Sequence, residues 1–296
     1  MADQPCSVAI LGLGMIGGSL ALALKASGFA RRVLAWDRDP QALATGLDAG
    51  VIDEACADLD AALAADIAVV AVPNVAAAGL LEDLLARTAH AHDGPVLTDV
   101  ASVKGNLAAV ATAGGPAPRY VPGHPIAGSE RSGVAAANPG LFARHRVILT
   151  PLPAQDADAL ALVTRLWESV GAEVLCMAVA EHDAVLAATS HLPHVLAYCL
   201  VDDLAASPRR DDLFRFAAGG FRDFTRIASS DPVMWRDVAL ANREALLEAV
   251  DEFSARLALL REAIAAGDGA RLEATFSAAK AARDAFAERE ARRRQS

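Results

Sequence analysis

The sequence predicts an α/β domain built on a doubly wound parallel sheet, followed by an all-α helical domain. Three observations carry this. Short continuous apolar runs alternate with helical patterns through the first half; a glycine-rich turn joins the first run to the first helical pattern; and strand-like runs stop at about Met177. Continuous apolar runs, rather than strict alternation, belong to strands buried on both faces. A chain of 296 residues has room for about two domains, and the change of texture divides it into 1–177 and 178–296.

The apolar runs fall at residues 8–11, 33–36, 67–72, 96–97 and 147–149. Between the first two, Ile16, Leu20, Ala23 and Leu24 mark one helical face, and Gly28 ends it. Strand and helix in alternation give parallel βαβ units. Gly114-Gly115-Pro116-Ala117-Pro118 reads as a loop. In the second half, Ser230-Asp231-Pro232 opens a helix, with Asp as cap and Pro in the first turn. Leu246, Val250, Phe253, Leu257, Leu260 and Ile264 then recur at spacings of four and three, and Gly267 stops that helix. Two readings fit this seam: packing within a helical bundle, and a helix–helix dimer interface. A last helix starts at about Ala270.

Composition excludes several classes. The net charge of −10 argues against affinity for nucleic-acid phosphates, and Arg292-Arg293-Arg294 reads as a solvated tail. Cys6, Cys56, Cys176 and Cys199 lack the spacing of a zinc knuckle or disulfide framework. No secretion signal opens the chain, and the apolar stretch 67–81 is broken by Pro73-Asn74 and is too short to span a bilayer. The expectation is a cytoplasmic protein with no membrane or nucleic-acid partner.

Gly12-Leu13-Gly14-Met15-Ile16-Gly17 matches GxGxxG between a strand pattern and a helix pattern, the context of a Rossmann-type nucleotide site. Gly12 permits the turn, Gly14 lets backbone approach a pyrophosphate, and Gly17 lets helix and strand pack closely. The N–H groups at Met15 and Ile16 open the helix toward the phosphates. Asp37 lies twenty residues beyond Gly17, at the end of the second strand. A carboxylate there accepts ribose hydroxyls and repels a 2′-phosphate, which favours NAD over NADP. Arg38 follows directly and softens that preference, unless it is a surface residue beside an Asp39-Pro40 cap.

Four further segments are rich in reactive side chains: Thr98-Asp99-Val100-Ala101-Ser102-Val103-Lys104, the stretch 123–130 with His124 and Glu130, Ser190-His191-Leu192-Pro193-His194, and the stretch 219–228 with Arg222 and Arg226. The ordered series GxGxxGGS, DVxSVK, GHPxAGxE, SHxPH and GGFRDxTRIA resembles the prephenate and arogenate (cyclohexadienyl) dehydrogenases of tyrosine biosynthesis. The likeness runs in register from about Val8 to Trp235.

That resemblance implies NAD-dependent oxidative decarboxylation of prephenate, with arogenate as a related substrate, in a homodimer joined through the helical domain. It implies that His124 hydrogen-bonds the substrate's C4 hydroxyl and that Ser102 orients the hydroxyl and His124 beside the nicotinamide. It implies that Arg226 clamps the side-chain carboxylate, that His191 contacts substrate, and that Glu130 lines the pocket entrance or orients a neighbour. Neutral histidine suits a proton acceptor at working pH, and a planar guanidinium suits a carboxylate.

Plainer readings stand beside these. His124 satisfies backbone groups in a loop; Ser102 caps a helix opening at Val103; His191 and His194, three apart, share a face as metal ligands, without a nearby Cys or Asp cluster to complete a site. His194 and Trp235 fit a core, and Lys104 lies close to the cofactor with no assigned role. Two other functions compete. A β-hydroxyacid or imine-type oxidoreductase joins the same domain types but often uses a lysine on the first long helix, and residues 181–206 contain none. A non-catalytic NAD-sensing dimer leaves His124, Ser102, His191 and Arg226 without a purpose.

Overall fold

The computed structural model describes residues 6–89, 94–128 and 131–295. Six strands form one parallel sheet in the order β3-β2-β1-β4-β5-β6. They are β1 (Cys6–Leu11), β2 (Ala30–Trp36), β3 (Glu54–Ala55), β4 (Ile67–Val70), β5 (Val96–Asp99) and β6 (Tyr120–Val121). The crossovers run through α1 (Met15–Ser27), α2 (Pro40–Asp48), α3 (Leu59–Ala62) and α4 (Asn74–Thr88). The strand order reverses between β1 and β4, which opens a crevice at their carboxyl ends.

Period-two side-chain alternation explains the continuous apolar runs. Val8 and Ile10 pack with Leu20, Leu24 and Trp167 on one face. Ala9 and Leu11 pack with Leu81, Leu84, Leu107 and Tyr120 on the other. Each such side chain, fully buried, stabilises the sheet by roughly 1.5–3 kcal/mol for the larger aliphatics.

The run at 147–149 departs from expectation. It belongs to β8 (Arg146–Leu149) in a separate three-stranded sheet, antiparallel to β7 (Gly123–Pro125) and parallel to β9 (Glu173–Cys176). Pro122 is the physical divide. It has no N–H to continue the β6 ladder, while its carbonyl accepts from Thr150 N at 3.0 Å. The run at 67–72 is also shorter than its apolar stretch, ending at Val70 ahead of Pro73.

Two more helices complete the α/β part: α5 (Gly105–Ala113) after β5 and α6 (Ala157–Ser169), which crosses from β8 to β9. Among the described residues no strand follows Cys176, and the elements after it are helices and helical turns. The helices α7 (Val179–Leu186) and α8 (Leu192–Ala206) are joined by a π-helical turn at Ala187–His191. By length and composition this 28-residue stretch, with an 18-residue window of mean hydropathy 1.5, is long and apolar enough to cross a membrane. Its His182, Asp183 and His191 are buried and hydrogen-bonded within the protein instead. Then come α9 (Arg210–Arg215), α10 (Gly219–Thr225) with a 3-10 turn at Arg226–Ser229, and α11 (Pro232–Ala241). Asp231 caps α11, accepting from Val233 N at 2.7 Å and Met234 N at 2.9 Å.

Packing divides the chain into two compact units, Met1–Arg243 and Glu244–Ser296. The second holds nearly all of α12 (Arg243–Ala266) and all of α13 (Gly269–Gln295). Gly267, in left-handed conformation with φ 66°, ends α12. Leu246 on the α12 seam is buried, whereas Phe253, Leu257 and Ile264 are exposed in the single chain. Packing within the chain therefore covers the seam only in part, at Leu246 and, half-buried, at Val250 and Leu260.

Candidate active site

The glycine-rich turn has the geometry its spacing demands. Gly12 has φ +105°, and a Cβ there would lie 2.7 Å from Ala71 O. A Cβ on Gly17 would lie 2.2 Å from Gly12 O, so α1 approaches the turn more closely than any side chain allows. Nothing lies within 4 Å of a Cβ on Gly14, whose outer side is open space beside the first N–H groups of α1, those of Met15 and Ile16. Asp37 Oδ2 accepts from Leu13 N at 2.6 Å and Oδ1 from Asp39 N at 2.8 Å. The carboxylate is thereby fixed at the edge of the turn, and these residues fit a dinucleotide.

Beside that crevice, at the carboxyl end of β5, lies a buried charged network. Lys104 is fully buried; its Nζ pairs with Asp99 and donates to Gly123 O at 2.6 Å. Tyr120 Oη donates to Asp99 Oδ2 at 2.7 Å. Burial lowers the Lys104 pKa, with Asp99 working against the shift, and raises that of Tyr120 well above its ordinary value. The network braces the backbone of Gly123, and hence its neighbour His124.

His124, buried on β7, faces a histidine that the sequence did not single out. His124 Nδ1 lies 2.9 Å from His182 Nε2, and His182 Nδ1 lies 2.8 Å from Asp183 Oδ1. Asp183 also accepts the N–H groups of Lys104 at 2.9 Å and Gly105 at 2.7 Å. Burial alone would raise the Asp183 pKa; the His182 hydrogen bond and the two backbone donors outweigh it and hold the carboxyl below its ordinary range. In a neutral pair of rings, the Asp183 carboxylate sets the direction of donation. His182 Nδ1–H donates to Asp183, His124 Nδ1–H donates to His182, and His124 Nε2 keeps a bare lone pair. Burial first, then the neighbouring His182, Lys104 and His191, hold the His124 pKa well below 6.5.

Asp183 also corrects the expected helix cap. α5 opens at Gly105, not Val103, and its leading N–H groups go to Asp183 rather than to Ser102. Ser102 is half-buried in the loop between β5 and α5. Asn74 Oδ1 steadies that loop by accepting from Val103 N at 3.1 Å.

The two histidines of SHLPH diverge. His191 is 1% exposed and its Nδ1 lies 3.0 Å from Asn242 Nδ2. Burial lowers its pKa to about 4. His194 is half-buried and stacks on Trp235, ring centroids 3.5 Å apart at 19°. Its Nδ1 meets Ser190 O at 2.9 Å. Burial, with a smaller push from the Arg226 charge, lowers its pKa. Arg226 is exposed at the start of the 3-10 turn. The shared metal face fails because the two rings bond to different partners, and no group of three His, Cys, Asp or Glu among the described residues is placed to hold a metal ion. Glu130 lies outside the described residues.

A glycine-turn nucleotide domain carrying a histidine–histidine–aspartate chain beside its crevice defines a Rossmann-type dehydrogenase. Residues 20–176 match the family model for the prephenate dehydrogenase nucleotide-binding domain, and residues 178–278 match that for the prephenate dehydrogenase dimerization domain. The cyclohexadienyl dehydrogenase of Zymomonas mobilis is 38% identical over 93% of this chain and 94% of its own length. The prephenate dehydrogenase of Bacillus subtilis is 37% identical over 96% of this chain and 77% of its own. Aquifex aeolicus prephenate dehydrogenase, solved with hydroxyphenyl propionate and NAD+, superposes with a TM-score of 0.86 at 35% identity, covering 97% of this chain and 100% of that one. The chain belongs to the prephenate dehydrogenase family.

Proposed function

We propose that this protein is an NAD-dependent dehydrogenase that converts prephenate to 4-hydroxyphenylpyruvate and CO2 on the route to tyrosine, with arogenate, the amino counterpart, taken by the same site. The observation that carries the reading is the chain His124–His182–Asp183, which presents one uncharged acceptor nitrogen beside a dinucleotide crevice. Family membership and the ligands of the Aquifex relative support the same reaction. Asp37 supports NAD over NADP.

NAD supplies the acceptor for the hydride leaving C4. Gly12, Gly14, Met15, Ile16 and Gly17 would hold its pyrophosphate through the turn and the opened end of α1, and Asp37 would take its ribose hydroxyls. His124 Nε2 accepts the proton of the C4 hydroxyl as that carbon becomes carbonyl-like. Loss of CO2 then leaves its electron pair to the ring, which becomes aromatic as the C4 oxygen takes a proton back. His182 and Asp183 spread the positive charge that His124 gains. Ser102 orients the hydroxyl, Arg226 holds the side-chain carboxylate with His194 and Trp235 beside it, His191 faces the substrate, and Glu130 borders the entrance. No metal is required, because aromatisation drives the decarboxylation.

Residues 1–177 bind the dinucleotide, and residues 178–296 complete the substrate site and join two copies. The exposed Phe253, Leu257 and Ile264 on α12 support a homodimer, as does the match to a dimerization-domain model. The protein works in the cytoplasm as a biosynthetic enzyme.

The test is NADH formation with NAD and prephenate, arogenate in parallel, for the wild type and His124→Asn. Turnover that falls about 100-fold or more in the variant, with NAD affinity kept, supports the assignment. A wild type that binds NAD and turns over neither substrate ends it, and leaves the NAD-sensing reading.

A further inference from the structure

We propose that Asn242 is a positioning residue that fixes His191 as a neutral hydrogen-bond donor toward the substrate, opposite in polarity to His124. The proposal rests on the prephenate reading for what His191 faces, but its structural half stands alone.

Asn242 ends α11 and is 4% exposed. Its Nδ2 makes two contacts: Asp183 O at 2.8 Å and His191 Nδ1 at 3.0 Å. A backbone carbonyl can only accept, so the atom facing it must be the amide nitrogen; the flipped amide would set two oxygens against each other. The second hydrogen of that same NH2 group points at His191. Nδ1 of His191 is therefore an acceptor, and in the neutral ring its proton resides on Nε2. Asn242 is the one hydrogen-bond partner of the His191 ring among the described residues, and it meets Nδ1, not Nε2.

Neutrality is built in as well. Burial keeps the imidazole uncharged down to about pH 4, and Trp235 closes its flank edge-on, ring centroids 6.1 Å apart. Asp183 thus orders both histidines. Its carboxylate reaches His124 through His182, and its carbonyl reaches His191 through Asn242. One ring offers a lone pair, the other an N–H. Such a pair suits a substrate whose hydroxyl must lose a proton while a neighbouring oxygen is held.

The experiment is a long-range 1H–15N correlation spectrum of the unliganded, 15N-histidine-labelled enzyme, with the His191 signal assigned from its loss in His191→Gln. The expected result is a wild-type His191 protonated at Nε2 and bare at Nδ1. A spectrum showing Nδ1–H overturns the proposal without recourse to any variant. Asn242→Asp places an acceptor against Nδ1. We expect it to move the proton to Nδ1 and to lower kcat/KM for prephenate at least tenfold, with NAD affinity within twofold. A folded Asn242→Asp with the proton moved and kcat/KM unchanged would overturn the functional half. The spectrum needs no turnover, so a wild type inert on prephenate sinks the proposed function while the tautomer is still decided by the spectrum alone.

Discussion

The Oδ1 atom of Asp183 lies 2.8 Å from Nδ1 of His182, and the same carboxylate closes the open end of α5 through Lys104 N and Gly105 N. One side chain therefore ties the proton-accepting histidines to the loop that carries Ser102. Asp183→Asn removes the charge and turns one acceptor into a donor, so His182 loses its fixed tautomer. We expect kcat to fall about 100- to 1,000-fold, with NAD affinity nearly unchanged. Equal kcat in the folded variant would show that the chain of hydrogen bonds does not serve His124.

Gly14 and Gly17 separate binding from folding. An alanine methyl at Gly14 meets nothing in the protein, so Gly14→Ala keeps its melting temperature and loses NAD affinity tenfold or more. At Gly17 the methyl would lie 2.2 Å from Gly12 O. Gly17→Ala should cost about 1–3 kcal/mol of stability and lower the melting temperature as well. Calorimetry with and without NAD distinguishes the two, and matching losses in both variants would contradict the geometry.

Acid should weaken the fold through His191. The unfolded residue binds a proton below its ordinary value of 6.5, the folded one only below about 4. Between those values the unfolded state carries more protons, so stability falls as pH is lowered through that window and levels off beneath it. The full effect is about 3 kcal/mol at roughly 1.4 kcal/mol per pH unit. Urea titrations at pH 7 and pH 5 should show the loss, and His191→Gln should reduce it. An unchanged slope in that variant would place the effect elsewhere.

Lys104 and Asp99 form a wholly buried ion pair. Lys104→Met leaves the Asp99 carboxylate without its counter-charge, at a cost of about 3–5 kcal/mol. The double variant with Asp99→Asn should recover much of that loss in urea unfolding. Failure of the double variant to recover would mean that the Lys104–Gly123 contact carries the stability instead.

Much of this arrangement was legible in the residues. β1, the glycine turn and Asp37 follow from a buried run, three glycines and a fixed distance along the chain, all local signals. Asp231 and Gly267 announced helix ends for the same reason. His182 did not, because Glu181-His182-Asp183 has the polar look of a helix's solvated face, and only tertiary packing turns it inward. Asn242 was equally silent, its two partners lying 51 and 59 residues away. The two-residue strands β3 and β6 are too short for any periodic pattern. The run at 147–149 was visible as a strand, but its sheet is decided by Pro122, more than twenty residues earlier.

The π-helical turn at Ala187–His191 has a bearing on how this chain can change in length. It carries one more residue per turn of hydrogen bonding than the helices around it, and it separates His182 and Asp183 from His194. Adding a single codon there would rotate all that follows by about 100° around the helix axis, taking His194 off Trp235, whereas removing one would let the wide turn close into an ordinary α-helical turn. Descendants of this sequence can thus lose a residue from this turn more readily than gain one, so long as His191 stays at its end.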